Sequence, residues 1–247
     1  MSSGEGDLSA LLHGAAALGI ALNEGQREHY ARYRALLLEW NARINLTAIT
    51  DPLEVAARHF LDSLTVAAGA PDELRADAPR VLDVGSGAGF PGLALAIAFP
   101  AWRVTLLEAT GKKVRFLETV IAELGLTNAQ ALTGRAEDVA RRPEHRAAYD
   151  VVMARAVAAL PTLLEFCAPF ARVGGRLILP KKGDLAVELA AGERAAPLLG
   201  ARLLDPLPVA VPSLDDGRVL VVARQERPCP QQYPRPAGAP VKRPLGA

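Results

Sequence analysis

Residues 79–92 read Pro-Arg-Val-Leu-Asp-Val-Gly-Ser-Gly-Ala-Gly-Phe-Pro-Gly, and this stretch decides the fold. Val81, Leu82 and Val84 form a short apolar run, β-branched at both ends, the pattern of a buried strand. Asp83 stands at its tip, and Gly85, Gly87 and Gly89 follow with only Ser86 and Ala88 between them. Pro91 sits where a helix begins, its φ already suited to a first helical position, and Leu93 to Phe99 carry that helix. A strand, a glycine turn and a helix N-terminus in this order let a ligand approach the backbone closely. Orphan amides and the positive end of the helix dipole are expected to face it.

The glycine spacing limits what that ligand is. Counted from Gly85, the dinucleotide pattern G-x-G-x-x-G fails at Phe90. Counted from Gly87 it holds formally through Gly89 and Gly92, but starts too far past the strand for its first glycine to make the tight turn. Asp83 points the same way, because a carboxylate at the strand tip suits an ammonium group and not a pyrophosphate. S-adenosylmethionine is therefore favoured over NAD.

Outward from this stretch, strands and helices alternate. Val104–Leu107, Ala129–Thr133, Tyr149–Met153 and Arg176–Leu179 read as further strands, with helices over Lys112–Leu124 and Leu160–Phe170 and a turn at Gly174-Gly175. Leu203–Val211 and Arg218–Arg224 read as two more, joined by Asp215-Asp216-Gly217. That link is too short for a crossover helix, so they form an antiparallel pair at one end of the sheet. The expected fold is α/β: a doubly wound, mostly parallel seven-stranded sheet. Residues 1–78 form a helical prelude. Residues 1–6 are expected to fray, a helix runs from Asp7 to Ile20, Asn23 caps the next, and Asp51-Pro52-Leu53-Glu54 starts a third. Residues 69–79 read as a linker. The chain thus divides into an extension (1–78), a cofactor-binding domain (79–226) and a basic, Pro-rich tail (227–247).

Ligands of such sheets bind beyond the carboxyl ends of the strands. That rule gathers Asp83–Gly89, Glu108, Ala136-Glu137, Arg155 and Lys181 on one rim. Glu108, about twenty residues past the glycine turn, suits both ribose hydroxyls, and Ala136-Glu137 lie where the adenine would. Bulk properties add little. The formal net charge is +1, but residues 1–78 hold six Arg against eleven acids, leaving the remainder basic. Two cysteines, Cys167 and Cys229, make no disulfide framework or metal site. With no signal peptide and no membrane-spanning run, a cytoplasmic protein is expected.

The terminal antiparallel pair, with no residues left for a second substrate domain, favours a methyltransferase over a dehydrogenase. Absences then narrow the acceptor atom. Exocyclic amine methylation of bases usually brings an Asn/Asp-Pro-Pro-aromatic run after the fourth strand, where this chain has Ala154-Arg155-Ala156-Val157. Carbon methylation of pyrimidines needs a thiolate, and neither cysteine is placed for one. A ring nitrogen needs no general base, only proximity and orientation.

With these residues assembled, the chain resembles the bacterial family of small-subunit ribosomal RNA methyltransferases G, also called glucose-inhibited division protein B. The marks are Trp40-Asn41 with Asn45-Leu46-Thr47, Arg58-His59 with Leu61-Asp62-Ser63-Leu64, and Asp83 to Gly92. Glu108 with Lys112-Lys113, Gly134 to Glu137, Arg155-Ala156-Val157, and Tyr233-Pro234-Arg235-Pro236 with Gly238 and Pro240 complete the set. The resemblance implies a class I, Rossmann-like methyltransferase that transfers a methyl group from S-adenosylmethionine to guanine N7 in the decoding-region loop of 16S rRNA. It assigns cofactor contacts to Gly85, Phe90, Ala136, Glu137 and Arg155, beside the Asp83, Ser86, Gly87, Gly89 and Glu108 of the cradle. Arg155 is also the candidate positioning residue. Arg58, His59, Lys112, Lys113, Lys181 and Arg235 are the candidate RNA contacts, on a chain expected to be monomeric. Two rivals stay open at this point, a small-molecule methyltransferase and an NAD-dependent oxidoreductase, with a non-catalytic RNA-binding module as a weaker third that the intact cradle disfavours.

Overall fold

A computed structural model describes residues 8–72 and 78–246. The residues expected to fray, Asp7, and the middle of the predicted linker lie outside the described residues. The sheet runs in the order β3-β2-β1-β4-β5-β8-β6, with a short β7 paired to β8 off that path. Its strands are β1 (Arg80–Val84), β2 (Arg103–Glu108), β3 (Ala129–Thr133), β4 (Tyr149–Met153), β5 (Ala171–Lys182), β6 (Ala201–Leu203), β7 (Leu207–Pro208) and β8 (Arg218–Gln225). The first five are parallel where they pair, and β8 is antiparallel to β5, β6 and β7. The single predicted strand over 203–211 is thus two short ones. Ala201 pairs with Gln225 while Leu207 pairs with Leu220, so both lean on β8 at different heights.

The predicted turn at Gly174-Gly175 lies inside β5. A Cβ at Gly175 would meet the carbonyl oxygens of Arg172, Asp150 and Tyr149 at 2.9–3.2 Å, where the β4–β5 register shifts between Tyr149 and Val151. These glycines permit a bulge against the neighbouring strand and do not end the element.

The prelude packs on one face of the sheet and shares its core: Tyr30, Tyr33, Leu37 and Phe60 belong to the same buried cluster as Val81, Leu93, Leu106 and Ile178. Helix α1 (Ser9–Ala17) is shorter than the sequence suggests. Helix α2 (Glu24–Ile44) starts on the expected cap, a reciprocal box in which Asn23 and Gln26 each bond the other's backbone N–H at 2.9 Å. Gln26 then donates to the Ile97 and Ala98 carbonyls, and Tyr30 to that of Ala94, fastening α2 to helix α4 (Gly92–Ala98). A helical run over 52–69, α3, begins at the Asp51 cap and widens to π-type hydrogen bonding at Ala56–Leu61. Helices α5 (Gly111–Glu123), α6 (Ala136–Val139), α7 (Leu160–Cys167) and α8 (Ala186–Ala195) complete the layers, and α9 (Ala239–Lys242) ends the described chain. No helix among the described residues is long and apolar enough to cross a membrane.

Candidate active site

The carboxyl ends of β1, β2 and β4 open onto a cleft of about 580 Å³. Gly85–Ala88 and Phe90 form one wall, Glu108 and Lys113 another, and Gly134–Glu137 a third; His59 and Arg155–Val157 close the far end. Topology brings together most of what the sequence proposes for the cofactor, across more than seventy residues of chain. Gly85 takes φ +74°, and a Cβ there would press on Val157 at 2.8 Å, so glycine is required both by conformation and by the passage of the post-β4 loop.

One expectation fails. The loop amides face inward: Gly85 and Ser86 donate to the Leu107 carbonyl at 2.8 and 3.1 Å, Gly89 and Phe90 to that of Ser86 at 2.7 and 3.1 Å. Gly87 donates to Glu108 Oε2 at 3.0 Å. The helix end is answered too, because Asp83 Oδ2 accepts the Gly92 N–H at 2.9 Å. Asp83 is fully buried and outside the cleft wall, as is Gly89. Its carboxylate therefore caps α4 from beneath and does not face the ligand. Gly92 is glycine for that reason: a Cβ would collide with Leu106 and stand 2.9 Å from Asp83 Oδ2. Burial pushes the Asp83 carboxyl up to about 7, against the Gly92 N–H and Arg155, which pull it down, and its Oδ1 is buried without a partner.

With the amides of Gly85, Ser86, Gly87, Gly89 and Phe90 already bonded within the protein, the loop is a poor host for pyrophosphate, which needs free amides. The cleft instead offers acceptors. Glu108 is held by the Gly87 and Thr110 N–H groups and keeps further lone pairs for hydroxyl donors. Glu137 is buried on the opposite side, its Oε1 accepting the Gly238 N–H at 3.3 Å. This donor–acceptor balance fits a ribose and a cationic ligand, so the residues present suit S-adenosylmethionine.

At the closed end, rings and charges interlock. His59 stacks on Phe90 with centroids 4.5 Å apart, bonds Thr47 Oγ1 through Nε2 at 2.7 Å, and presents Nδ1 to Arg155 at 3.4 Å. Burial first, then the Arg155 charge, drive its imidazole down to about 4, so it is neutral at physiological pH. Arg155 lies 5.2 Å over the Phe90 ring and donates Nη1 to Asp62 at 2.5 Å. Asp62 is therefore buried and paired. Behind this wall a second cavity of about 400 Å³ opens between α3, β5 and β8, lined by Arg58, Asp62, Lys181, Lys182, Val209, Arg218 and Leu220. His59, Arg155 and Ala156 line both.

The basic candidates separate. Lys112 is exposed and Lys113 borders the cleft. Arg58 is exposed on the rim of the second cavity, 3.3 Å from Glu54. Lys181 lines that cavity but is held by Glu188 at 2.7 Å and by the Ala158 carbonyl. Arg235 is a correction: its guanidinium and its own N–H both bind Glu165, whose side chain is 0% exposed. Its charge is answered by an internal ion pair, not by solvent. The tail it anchors runs as a strap, with Arg146 donating to the carbonyls of Cys229, Pro230 and Tyr233, Arg141 to Pro234, and Thr162 to Pro240. That strap carries Gly238 and Val241 into the cleft wall. Gly238 is one of the marks of the resemblance, whereas Val241 lies in a tail without periodicity that would point to it. Burial raises the Cys167 thiol far and the Cys229 thiol to about 12, so neither is a nucleophile at neutral pH.

A mostly parallel sheet ended by antiparallel strands, with a glycine loop over a cleft at its carboxyl edge, is the class I methyltransferase fold. Solved structures agree on the fold. MtNAS in complex with MTA and tNA matches at TM-score 0.52 and 15% identity, over 90% of this chain and 76% of that one. Cofactor-bound Rv0187 from MTB matches at 0.54 and 17%, over 79% and 91%. The family model for rRNA small subunit methyltransferase G, GidB, matches residues 26–207. Ribosomal RNA small subunit methyltransferase G of Roseiflexus sp. is 48% identical over 96% of this chain and all of that protein. Its counterpart from Symbiobacterium thermophilum is 45% identical over 95% and 96%. The chain belongs to the rRNA small subunit methyltransferase G family.

Proposed function

We propose that the protein transfers a methyl group from S-adenosylmethionine to N7 of one guanine in the decoding-region loop of 16S rRNA. The observation that carries this reading is the pair of cavities meeting at His59, Arg155 and Ala156: one takes the cofactor, the other a base swung out of its stack. The cofactor supplies an electrophilic methyl on a sulfonium. Glu108 accepts the ribose hydroxyls, Ala136 and Glu137 border the adenine, and Phe90 with the Gly85–Gly87 turn shapes the methionine end. No side chain at the shared wall is a general base, which suits a ring nitrogen whose lone pair is already free. Neutral His59 steadies Arg155, and the enzyme's contribution is proximity and orientation, in favourable cases about 7–11 kcal/mol.

The prelude (1–78) supplies one side of both cavities, the central domain (79–226) the cradle, and the tail (227–247) the strap. The substrate is the rRNA or the small subunit carrying it, met by a cytoplasmic monomer through Arg58, Lys112 and Lys113. Labelled S-adenosylmethionine, offered with naked 16S rRNA and with small subunits from a strain lacking the enzyme, tests this. Cleavage specific to 7-methylguanosine should map a single guanine. No incorporation into either RNA, with the cofactor still bound, would refute the acceptor and leave the cofactor site standing.

A further inference from the structure

The second cavity contains a donor–acceptor pattern that the cofactor has no use for. Asp62 Oδ2 accepts from Arg155, and Oδ1 from Arg218 Nη1. Arg218 is itself clamped to Asp216 through Nε and Nη2 at 2.6 and 2.8 Å. The carboxylate is thus fixed from two sides inside the cavity wall, and each oxygen keeps a further lone pair. Going away from the cofactor cleft, the wall presents a guanidinium and then a carboxylate. Val209 and Leu220 supply apolar surface for the faces of a ring.

Guanine, read around its edge from the reacting N7, presents O6 as an acceptor and then N1–H and N2–H₂ as donors. Adenine reverses both, with an amine where O6 was and an acceptor at N1. We propose that Arg155 and Asp62 read the target base, the guanidinium donating to O6 and the Asp62 carboxylate accepting from N1–H and N2–H. This rests on the base-pocket reading above and names the selecting groups within it. A wrong purine then meets two mismatched contacts at once, a form of exclusion as well as attraction.

The same carboxylate answers a charge problem. As the N7 lone pair forms its bond to the methyl carbon, the carbon–sulfur bond breaks and its electrons remain on sulfur. The positive charge passes to the purine, and no proton leaves. A cation at O6 opposes that charge, whereas Asp62 attracts it and bonds N1–H more strongly as it grows. Its contact is therefore stronger in the transition state than in the ground state and belongs in kcat.

The test compares wild type and Asp62→Asn on 16S rRNA carrying guanosine or inosine at the mapped position; inosine lacks only the N2 amine. Wild type should prefer guanosine by about tenfold in kcat/KM. D62N should lose about 100-fold or more in kcat, bind S-adenosylmethionine as before, and no longer distinguish the two bases. Equal wild-type rates on guanosine and inosine would overturn the proposal, and so would a fully active D62N. If D62N no longer binds the cofactor, the wild-type ratio alone decides. Failure of the base-pocket reading looks different: wild type methylates neither RNA while binding the cofactor, and both proposals fall together.

Discussion

Replacing Arg235 by Met should open the C-terminal strap and weaken cofactor binding without disturbing the sheet. Glu165 is fully buried, with Oε1 accepting the Arg235 N–H at 2.8 Å and Nε at 2.9 Å, and Oε2 accepting Nη2 at 2.6 Å. Removing the cation strands that carboxylate, at a cost of about 3–5 kcal/mol. The strap is held besides by buried Cys229, Tyr233, Pro234 and Pro240 and by hydrogen bonds from Arg141, Arg146 and Thr162 and to Glu137. Ordering it costs about 1–2 kcal/mol per residue, so a loss of this size tips it open and gives Glu165 water. Gly238 and Val241 then leave the cleft wall. S-adenosylmethionine affinity should fall by about tenfold, or about 1.4 kcal/mol, in calorimetric titration, and residues 228–243 should become protease-sensitive. Pairing Arg235→Met with Glu165→Leu removes both charges and should recover most of the affinity. The reasoning is wrong if R235M binds the cofactor normally and its strap resists protease. A variant that binds cofactor normally but RNA less well, with a shallower salt dependence, would return Arg235 to the phosphate contacts.

Tyr33→Phe should cost about 1–3 kcal/mol in denaturant unfolding, because the lost hydroxyl leaves the buried Ala88 carbonyl unpaired; a variant as stable as wild type would show that the loop does not need its hold from α2. Gly92→Ala should destabilise by about 1–3 kcal/mol through overpacking against Leu106 and Asp83, and a thermal midpoint equal to wild type would contradict that contact. For His59 the folded-state value of about 4 lies below the ordinary imidazole value of 6.5, so the folded protein binds fewer protons between them and stability falls as pH drops from about 6.5 to about 4. His59→Gln should flatten that part of the stability profile, and unchanged curvature would mean the imidazole is not buried neutral.

Glycines, strand tips and caps were legible because each is a local event. Asn23, Asp51 and the Gly85–Gly89 turn act within a few residues, and alternation from Arg80 onward is enough for a doubly wound sheet. What escaped depends on contacts between distant residues. The inward turn of the loop amides follows from the Leu107 carbonyl and Glu108 of the next strand. Asp62 shows no local sign of burial, because its two guanidinium partners lie 93 and 156 residues away. Arg235 looked solvated because the acid that neutralises it sits on α7, seventy residues earlier.

The prelude also has a task that its helical pattern alone does not disclose. Tyr33 from α2 bonds the Ala88 carbonyl at 2.5 Å and stacks on Phe90 at 5.4 Å, while His59 from α3 covers that phenyl ring at 4.5 Å. Phe90 is thus fixed by residues from two prelude helices, and Arg155 rests over it. A sheet with its glycine loop would still have strand tips and a cleft, but neither Thr47 and His59 to orient Arg155 nor Asp62 to pair with it. The shared wall between the cavities is built by the prelude as much as by the sheet. In the proposed function, the sheet's loop binds the cofactor and the helices that precede it place the base.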